Sequence, residues 1–431
     1  MKIGRVRGDA TGLDIPVHAA ALRAAGAGFL TRAFQAFGAI APGNAVARVL
    51  AVEPCPGGST GHKLFLSVEY LRPEPGLHTE LFVKFSRDFD DALRDRGRHE
   101  MESEVRFAAI SRLPGFPIRV PTAYFADYHQ ATGSGILVTQ RICFGRDGIE
   151  PQHPKCLDAD LDDPLAYYRL VLRSLARLAA AHRAGRLAPD IDTRFPFDHE
   201  AAIAADRIPH DAAQLRALVR NHAEFATRHP QLLPAVLRTP DFIARLERDA
   251  LRILEHETAI KRLLYGNPAL MALCHWNAQP DNAWFWRDER GERQCGLLDW
   301  GRVRQLNIAF SFWGAVSSAS LDIWEHSFDE LLRLFADEYQ AHGGPRVDVE
   351  ELRLHMLLYA AVMVIAWLMD APWRVLHRLP EAAQASGPHD PMFRRNESAR
   401  STLHVYTVLL WLWQRYDLGA CLDRVLARAA R

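Results

Sequence analysis

The chain has 431 residues, of which 48% are hydrophobic and 24% are charged, as in a globular protein and unlike a disordered one. This length suits two or three subdomains around a cleft better than a single core. Basic and acidic residues number 52 each, so the formal net charge is zero. That balance argues against a general nucleic-acid or polyanion binder, which needs a basic surplus.

The six cysteines are scattered singly, without a CxxC pair or matching histidine spacing, so a structural zinc site is not expected. The first residues, "MKIGRVRGDATGLDIP", contain no apolar signal core, which predicts a cytoplasmic protein. The apolar run Met356–Met369 is shorter than the roughly 20 residues that a bilayer span needs, so we interpret it as a buried helix and expect no membrane span. The sequence leaves the oligomeric state unknown.

The N-terminal part predicts one helix or a helix pair, then a small antiparallel sheet. Residues 14–38 have apolar residues at helical spacing and end at Gly38. Strand-like runs follow: "AVARVLAVEP" and "HKLFLSVEYL" flank the turn "CPGGSTG", and "TELFVKFS" places Lys84 inside an apolar strand. Residues 98–113 predict an amphipathic helix, and "TAYFADY" and "GILVTQRI" two more strands.

After about residue 160 the pattern is mostly helical, except for "NAWFWRDERGERQCGLLDWG", which predicts a β-hairpin. Residues 378–400 predict a polar loop or flexible segment. The predicted class is α+β: a small sheet-containing lobe with one helix and a large, mostly helical lobe. We assign residues 1–40 to a helical extension, 41–145 to the small lobe, and 146–431 to the helical lobe, with functional loops at 275–301 and an acceptor pocket.

The glycine-rich turn of the first hairpin could let backbone N–H groups approach phosphates, through Gly57, Gly58, Ser59 and Gly61. Such turns also occur in ordinary hairpins. Lys84 needs a partner to offset its desolvation, unless it lies at a strand edge with its ammonium in water. Glu104 is the preferred partner and Glu100 and Glu102 are alternatives; helical periodicity favours the face with Glu100 and Glu104.

Two residues beside the second hairpin could bind a cation. Asn282 and Asp299 are 17 residues apart and flank the hairpin, whose ends come close, so an amide oxygen and a carboxylate can converge on one hard metal ion. Each residue alone could equally be a turn residue. Their joint spacing, with His275 in front, is more specific.

The motif "HWNAQPDN … LLDWG" resembles the catalytic and metal-binding loops of the aminoglycoside phosphotransferase and choline kinase superfamily, whose usual form is HGDxxxxN followed by a strand-borne Asp. The run "PGGSTGHKLFLSVEYLRPEPGLHTELFVKF" and "SEVRFAA" are similar to the ecdysteroid-kinase-like branch. "LARLAAAHRAG" resembles the helix that leads these families into the helical lobe. The similarity spans residues 40 to 315 and implies a bilobal protein-kinase-like fold.

The resemblance implies a role for each matching residue. Lys84 would hold the α- and β-phosphates of ATP, and Glu104 would pair with Lys84. Asn282 and Asp299 would bind Mg²⁺, and His275 would shape the loop. Residues 137–142, with Gln140 among them, would form a hinge whose backbone reads adenine.

The chain departs from the superfamily pattern in two places. Asn277 stands where the catalytic Asp is expected, and Asn cannot accept a proton near neutral pH. Asp281 could be a replacement base, although a surface turn residue is the interpretation we favour. The acidic residue that often follows the DWG-type motif is absent from "RVRQLNIAFSFW", which leaves the anchor of the helical lobe unassigned.

The prediction is an ATP- and Mg²⁺-dependent phosphotransferase that acts on a hydroxyl of a small acceptor. Phosphoryl transfer depends mainly on positioning and charge neutralisation, so loss of the base predicts a slower kinase more readily than an inactive one. Most aromatic residues of the helical lobe should be core, but some could line a pocket for a fairly apolar acceptor. The alternatives are a nucleotide-binding pseudokinase that senses or scaffolds and, third, a nucleotidyl transferase.

Overall fold

The computed structural model describes residues 4–56 and 60–429, and the chain divides into two compact units. Unit 1 comprises Met1–Pro151, Gly185–Phe195 and Trp284–Arg304. Unit 2 comprises Gln152–Ala184, Pro196–Ala283 and Gln305–Arg431. Both units are therefore built from separate segments of the chain, and 185–195 and 284–304 belong to the first of them.

The strands belong to one five-stranded sheet and three two-stranded pairs. The large sheet is antiparallel with the order β3-β4-β5-β7-β6; the pairs are β1-β2, β9-β10 and β8-β11. The strands are β1 (Arg5–Arg7), β2 (Asp14–Pro16), β3 (Val46–Pro54), β4 (His62–Tyr70), β5 (Glu80–Phe85), β6 (Ala123–His129), β7 (Ser134–Gln140), β8 (Met271–Cys274), β9 (Ala283–Arg287), β10 (Arg293–Leu297) and β11 (Arg304–Asn307).

Helices dominate unit 2. Helices α1–α3 and α5 belong to unit 1 and the others to unit 2. The helices are α1 (Ala19–Ala36), α2 (Ala92–Arg96), α3 (Met101–Ile110), α4 (Pro164–Arg183), α5 (Ile191–Arg194), α6 (His199–Ala204), α7 (Ala212–Arg228), α8 (Pro240–Glu255), α9 (Glu257–Gly266), α10 (Ile308–Val316), α11 (Leu321–His326), α12 (Phe328–Ala341), α13 (Val349–Met363), α14 (Ala371–Arg378), α15 (Pro391–Arg395), α16 (Glu397–Tyr416) and α17 (Leu418–Ala429). The predicted α+β class, with a small sheet-containing unit and a larger helical one, is confirmed.

The sheet of unit 1 is covered by α1 on one face and by α3 on the other. Alternate residues of β4 and β5, such as Leu66 and Val83, form one core with Leu30 and Phe34 of α1. Leu137 of β7 instead packs with α3. This follows from the period of two along a strand, which sends successive side chains to opposite faces. Lys84 alternates with that first core and so projects from the face opposite α1.

In unit 2, α4 packs against α10, α12 and β8, and α13 packs against α9, α10 and α17. The apolar run at 356–369 lies in α13 and in the π-helix Val364–Leu368 that continues it. In the described part of the chain this is the one helix long and apolar enough to cross a bilayer, and 67% of its apolar window is buried inside the protein. The expected buried helix is therefore present.

One expectation for the C-terminal part was wrong. Residues 378–400, predicted as a loop or flexible segment, contain α15 and the start of α16. Phe393 of α15 is buried in a core with Leu232 and Leu403, and such tertiary contacts are invisible to a composition-based prediction. Between α16 and α17 the chain turns at Asp417, which takes a left-handed conformation (φ 46°).

Candidate functional site

The centre of the candidate site in unit 1 is an ion pair between β5 and α3. Lys84 is only 5% exposed, and its Nζ donates to Glu104 Oε2 at 2.6 Å and lies 3.5 Å from Asp299 Oδ1. Burial lowers the pKa of Lys84, but the carboxylates of Glu104 and Asp299 outweigh burial, so this pKa is raised overall. Lys84 is therefore a fully charged, positioned ammonium group, and the contact with Glu104 is the one predicted from the sequence.

The two alternative partners of Lys84 have other partners instead. Glu102 pairs with Arg106 one turn along α3, at 2.5 Å. Glu100, on the predicted face, pairs with Arg302 at 2.6 Å. Both contacts leave Glu104 as the carboxylate of α3 that serves Lys84.

Asp299 lies in a strained turn that follows β10. Its φ of 61° is left-handed, which is uncommon for a residue with a side chain. The side chain is 45% exposed and reaches Lys84 on one side. We expected a carboxylate at the end of a buried strand; the strand ends earlier, at Leu297, so the carboxylate is more exposed than expected.

The turn that carries Asp299 is fixed to α3. Trp300 is buried, stacks on Phe107 with ring centroids 3.9 Å apart, and donates its Nε1 hydrogen to the Leu297 carbonyl at 3.0 Å. The Arg302–Glu100 ion pair adds a second contact. Because Glu104 is on the same helix, α3 positions both carboxylates that face Lys84.

The glycine-rich turn is described only in part. Gly57, Gly58 and Ser59 lie outside the described residues. Gly61 has φ +60°, and a Cβ there would come within 1.9 Å of the Phe85 carbonyl oxygen, so no larger residue fits. This close approach joins the end of the turn to β5, the strand of Lys84.

Two backbone N–H groups of the predicted hinge already donate to carbonyls of the protein. Gln140 is the last residue of β7, and its N–H donates to the Thr122 carbonyl at 2.8 Å. The Arg141 N–H donates to the Glu80 carbonyl at 3.1 Å. Since these two donors are already used, a backbone donor for adenine would have to come from Ile142 or Cys143, at or beyond the end of the predicted hinge.

The loop of unit 2 that contains Asn277 is held by its own side chains. His275 is buried after β8, and its Nδ1 accepts from the Asn277 N–H at 3.0 Å. Asn277 Oδ1 accepts from Gln279 Nε2 at 3.2 Å. Asn282 Nδ2 donates to the Asn277 carbonyl at 2.8 Å, which leaves its Oδ1 to bind a cation. His275 thus shapes the loop, as the resemblance implied.

Asp281 differs from the surface turn residue that we favoured. It is half-buried, its Oδ2 lies 3.9 Å from Lys155 Nζ, and its carbonyl accepts from Gln152 Nε2 at 3.1 Å. These contacts direct it to residues 152–155, whereas Asn277 contacts His275, Gln279 and Asn282.

Two uncharged residues that the sequence pattern did not single out connect α10 to its neighbours. Asn307 is fully buried and caps α10 by accepting from the Ala309 N–H at 2.9 Å, and it also donates to the Leu264 carbonyl. Ser311 Oγ, one turn later, donates to the His275 carbonyl at 2.9 Å. The signal was the Asn at the start of an apolar helical run, a common N-cap pattern.

Aromatic side chains lie next to Asn277. Trp276 Nε1 donates to Tyr359 Oη at 2.6 Å, and Tyr359 stacks on Phe310 with centroids 3.7 Å apart. A Cβ at Gly314 would come within 1.7 Å of the Trp276 carbonyl oxygen, so α10 approaches this loop as closely as a glycine allows. The π-helix follows Tyr359 on the same helix, and π-helical turns are frequent at functional sites.

Unit 2 also encloses a cavity of about 660 Å³. About half of its lining residues are apolar, mainly leucine and proline; Asp158 and Arg400 are buried polar groups of the lining, and His404 also lines the cavity. Burial raises the pKa of Asp158 and lowers the pKa of His404. The segment that contains Lys155 and Asp158 thus contributes both to this cavity and to the contact with Asp281.

The oxygen atoms present suit Mg²⁺ better than a metal that needs nitrogen or sulfur ligands. In the described residues no three His, Cys, Asp or Glu side chains cluster as a ready-made metal site. Mg²⁺ does not need such a cluster, since one or two protein oxygens, phosphates and water complete its shell. The carboxylate of Asp299 and the amide oxygen of Asn282 are of this type.

Comparison with known proteins gives structural matches only: no protein-family model and no curated protein matches. Similar solved structures include a choline/ethanolamine kinase family protein from Mesorhizobium loti (14% identity, 87% of this chain, 92% of that one, TM-score 0.39). A second is a choline kinase from Cryptosporidium parvum Iowa II (12% identity, 86% of this chain, 91% of that one, TM-score 0.43). A third is an aminoglycoside-3'-phosphotransferase of type VIII (21% identity, 76% of this chain, 97% of that one, TM-score 0.32).

All three identities are below 25% and all three TM-scores are below 0.5. These similarities therefore assign no function to this chain. The resemblance to the ecdysteroid-kinase-like branch stays a prediction.

Proposed function

We propose that the protein is an ATP- and Mg²⁺-dependent phosphotransferase whose acceptor is a hydroxyl group of a small, fairly apolar molecule. The observation that supports this best is the trio in unit 1: the buried Lys84, its partner Glu104, and the partly exposed Asp299 within 3.5 Å. A charged ammonium beside an exposed carboxylate suits a polyphosphate with its metal ion. The loop of Asn277 and Asn282 would supply the remaining polar groups.

Each group has one task in this proposal. Lys84 would bind the α- and β-phosphates, and Glu104 would fix its ammonium. Asp299 and Asn282 would hold Mg²⁺, which when bound neutralises phosphate charge. Gly61 would keep the turn over the phosphates close to β5.

The chemistry does not require Asn277 to take a proton. The acceptor oxygen forms a bond to the γ-phosphorus, and the bond from that phosphorus to the bridging oxygen of ADP breaks. Because the transition state is loose, the hydroxyl proton leaves late and can pass to water or a phosphate oxygen. Asn277 would then orient the acceptor, with its own geometry set by His275 and Gln279.

The surroundings of Asn277 support a fairly apolar acceptor. Trp276 directly precedes Asn277 and donates a hydrogen bond to Tyr359, and no acidic side chain of the described residues hydrogen-bonds to Asn277. A polycationic acceptor would need carboxylates there. A hydroxylated molecule with an apolar or aromatic body would fit better.

The test combines binding with transfer. Thermal unfolding with and without ATP and Mg²⁺ should show a higher Tm for the wild type with ligand, and Lys84→Met and Asp299→Ala should each remove that shift. Glu289→Gln, an exposed carboxylate in the turn between β9 and β10, is the matched control and should keep the shift. Label from γ-labelled ATP should then appear on a hydroxylated acceptor from a panel of apolar alcohols.

Asn277 favours one second candidate, a nucleotide-binding pseudokinase that senses or scaffolds. It predicts the same Tm shift, but no transfer to any acceptor or to water, even after Asn277→Asp. Transfer by the wild type would exclude the pseudokinase. If ATP and Mg²⁺ left the Tm unchanged, both candidates would be wrong.

A further inference from the structure

Lys63 stands directly opposite Lys84 in the ladder between β4 and β5. Opposed residues of an antiparallel pair point to the same face of a sheet, with Cβ atoms about 4.5–5.5 Å apart. Two lysines therefore project side by side from the face opposite α1. Like charges at such positions are destabilising unless something else balances them.

The two lysines differ in their partners. Lys84 is paired with Glu104 and Asp299. Lys63 is half-buried, and within residues 4–56 and 60–429 its ammonium has no hydrogen bond or ion pair. Burial and the charge of Lys84 lower the pKa of Lys63, while Asp299 and Glu104 act in the opposite direction from longer range. A half-buried cation without an acceptor costs free energy that a bound anion would recover.

The choice of lysine at these positions is unusual for this chain. Only five of its 52 basic residues are lysines, and the rest are arginines, such as Arg48 on the neighbouring β3, which pairs with Glu69. An ammonium is a compact point charge with three donors, whereas a guanidinium is a larger planar fork. Two of the five lysines form this one cross-strand pair, which indicates a need for compact cations.

The two lysines match Glu104 and Asp299 in formal charge, but only Lys84 is paired with these carboxylates. Among the described residues the Lys63 ammonium has no acceptor, so its three N–H groups can donate to the oxygen atoms of a bound anion. Lys63 is also two residues after Gly61, which brings the end of the glycine-rich turn against β5. An elongated anion with several charges, lying along the face of β4 and β5, would contact both ammonium groups.

We propose that Lys63 is a second phosphate-binding residue, which donates to the polyphosphate chain of a nucleoside di- or triphosphate beside Lys84. This inference deepens the proposed function and depends on it. The Lys84 ammonium is held by the carboxylates of Glu104 and Asp299, whereas the Lys63 ammonium donates its hydrogen bonds to the ligand.

The experiment compares ligands that differ only in their phosphates. Dissociation constants of ATP, ADP and AMP with Mg²⁺, and of adenosine, are measured by calorimetry on the wild type, Lys63→Met and Lys63→Gln. Arg48→Met is the control, since it removes an exposed cation from the adjacent strand. We expect both Lys63 variants to bind ATP and ADP about 10- to 100-fold more weakly, as for a lost hydrogen bond to a charged group, with adenosine unchanged.

A second readout separates this role from a structural one. Removal of Lys63 relieves repulsion, so the ligand-free variants should unfold at the wild-type Tm or above it. Equal weakening of ATP and adenosine, wild-type affinity for ATP in both variants, or a lower ligand-free Tm in both would overturn the proposal. If the wild type binds ATP and the variants bind it equally well, the phosphotransferase proposal survives and this inference alone fails; if the wild type binds no nucleotide, both fail.

Discussion

In the proposed function Asn277 bears on proton transfer rather than on nucleotide binding. Lys84 is paired with Glu104 and Asp299 in unit 1, whereas Asn277 belongs to a loop of unit 2. Within its own loop Asn277 is held by Gln279 and Asn282. A change of its amide to a carboxylate should therefore affect the chemical step and leave affinity for nucleotide as it is.

Asn277→Asp is predicted to raise kcat. A carboxylate can still accept the hydrogen bond of Gln279 and can also take the hydroxyl proton, so the gain should be on the order of 100-fold, at the low end of what a general base contributes. The measurement is kcat for an identified acceptor, with the Tm shift by ATP and Mg²⁺ as the control for binding. A kcat that stays at the wild-type value, together with loss of turnover in Asp281→Asn, would reassign proton transfer to Asp281.

At the scale of elements, α3 links Lys84 of β5 to the turn after β10. Phe107 and Trp300 form the main packing contact, and Glu104 and Glu100 hold Lys84 and Arg302. Asp299 keeps its strained backbone because the neighbouring Trp300 is fixed in this way.

Trp300→Ala should destabilise the protein by about 3–5 kcal/mol, the usual cost of a large aromatic removed from a core. It should also weaken binding of ATP with Mg²⁺, because Asp299 loses its position. Trp373→Ala is the matched control, since Trp373 is 62% exposed and its loss should cost within about 0.5 kcal/mol. Urea unfolding and calorimetry measure both quantities; equal stability of the two variants would contradict the linking role of α3.

Helix α7 makes part of unit 2 sensitive to acid. His222 is fully buried, donates from Nε2 to the Leu237 carbonyl at 2.9 Å, and accepts at Nδ1 from Tyr406 Oη at 2.7 Å. Burial lowers the pKa of His222, so below about pH 6.5 the unfolded chain takes up a proton that the folded chain does not. Stability must therefore fall as pH drops through this range.

We predict that His222→Gln makes the free energy of unfolding less dependent on pH. The difference should be at most about 1.4 kcal/mol per pH unit below 6.5. Urea unfolding at pH 7.5 and pH 5.5 measures it for the wild type and the variant. The same loss of stability in both would show that His222 is not the group responsible.

At the scale of the whole molecule, the sequence predicted those features that depend on local pattern. The strands of the large sheet, α3 and the Lys84–Glu104 contact follow from periodicity and from a lysine inside an apolar strand. The pairing of Lys63 with Lys84 needs the strand register, and the roles of Asn307 and Ser311 need the packing of α10 on the loop. The contact of Asp281 with Lys155 also needs the fold, because the two residues are far apart in sequence.

The discontinuity of unit 1 gives a prediction for fragments. Residues 1–151 lack 284–304, and with them Trp300, Asp299 and the hydrogen bond from the Leu297 N–H to the Arg119 carbonyl. This fragment should bind no ATP, and hydrogen exchange in α3 should be faster than in the intact chain, because Phe107 loses its stacking partner. Mass spectrometry of deuterated peptides from both proteins gives the comparison, and equal protection of α3 would contradict it.

The scarcity of lysine also makes this surface chemically distinct. An amine attacks acylating reagents only when it is unprotonated, so a lysine with a lowered pKa reacts first. Lys84 is buried and held protonated, and Lys261 is buried against Glu257 at 2.8 Å. Mild acylation near neutral pH should therefore label Lys63 more readily than Lys84 or Lys261, and bound anion on the face of β4 and β5 should slow that labelling.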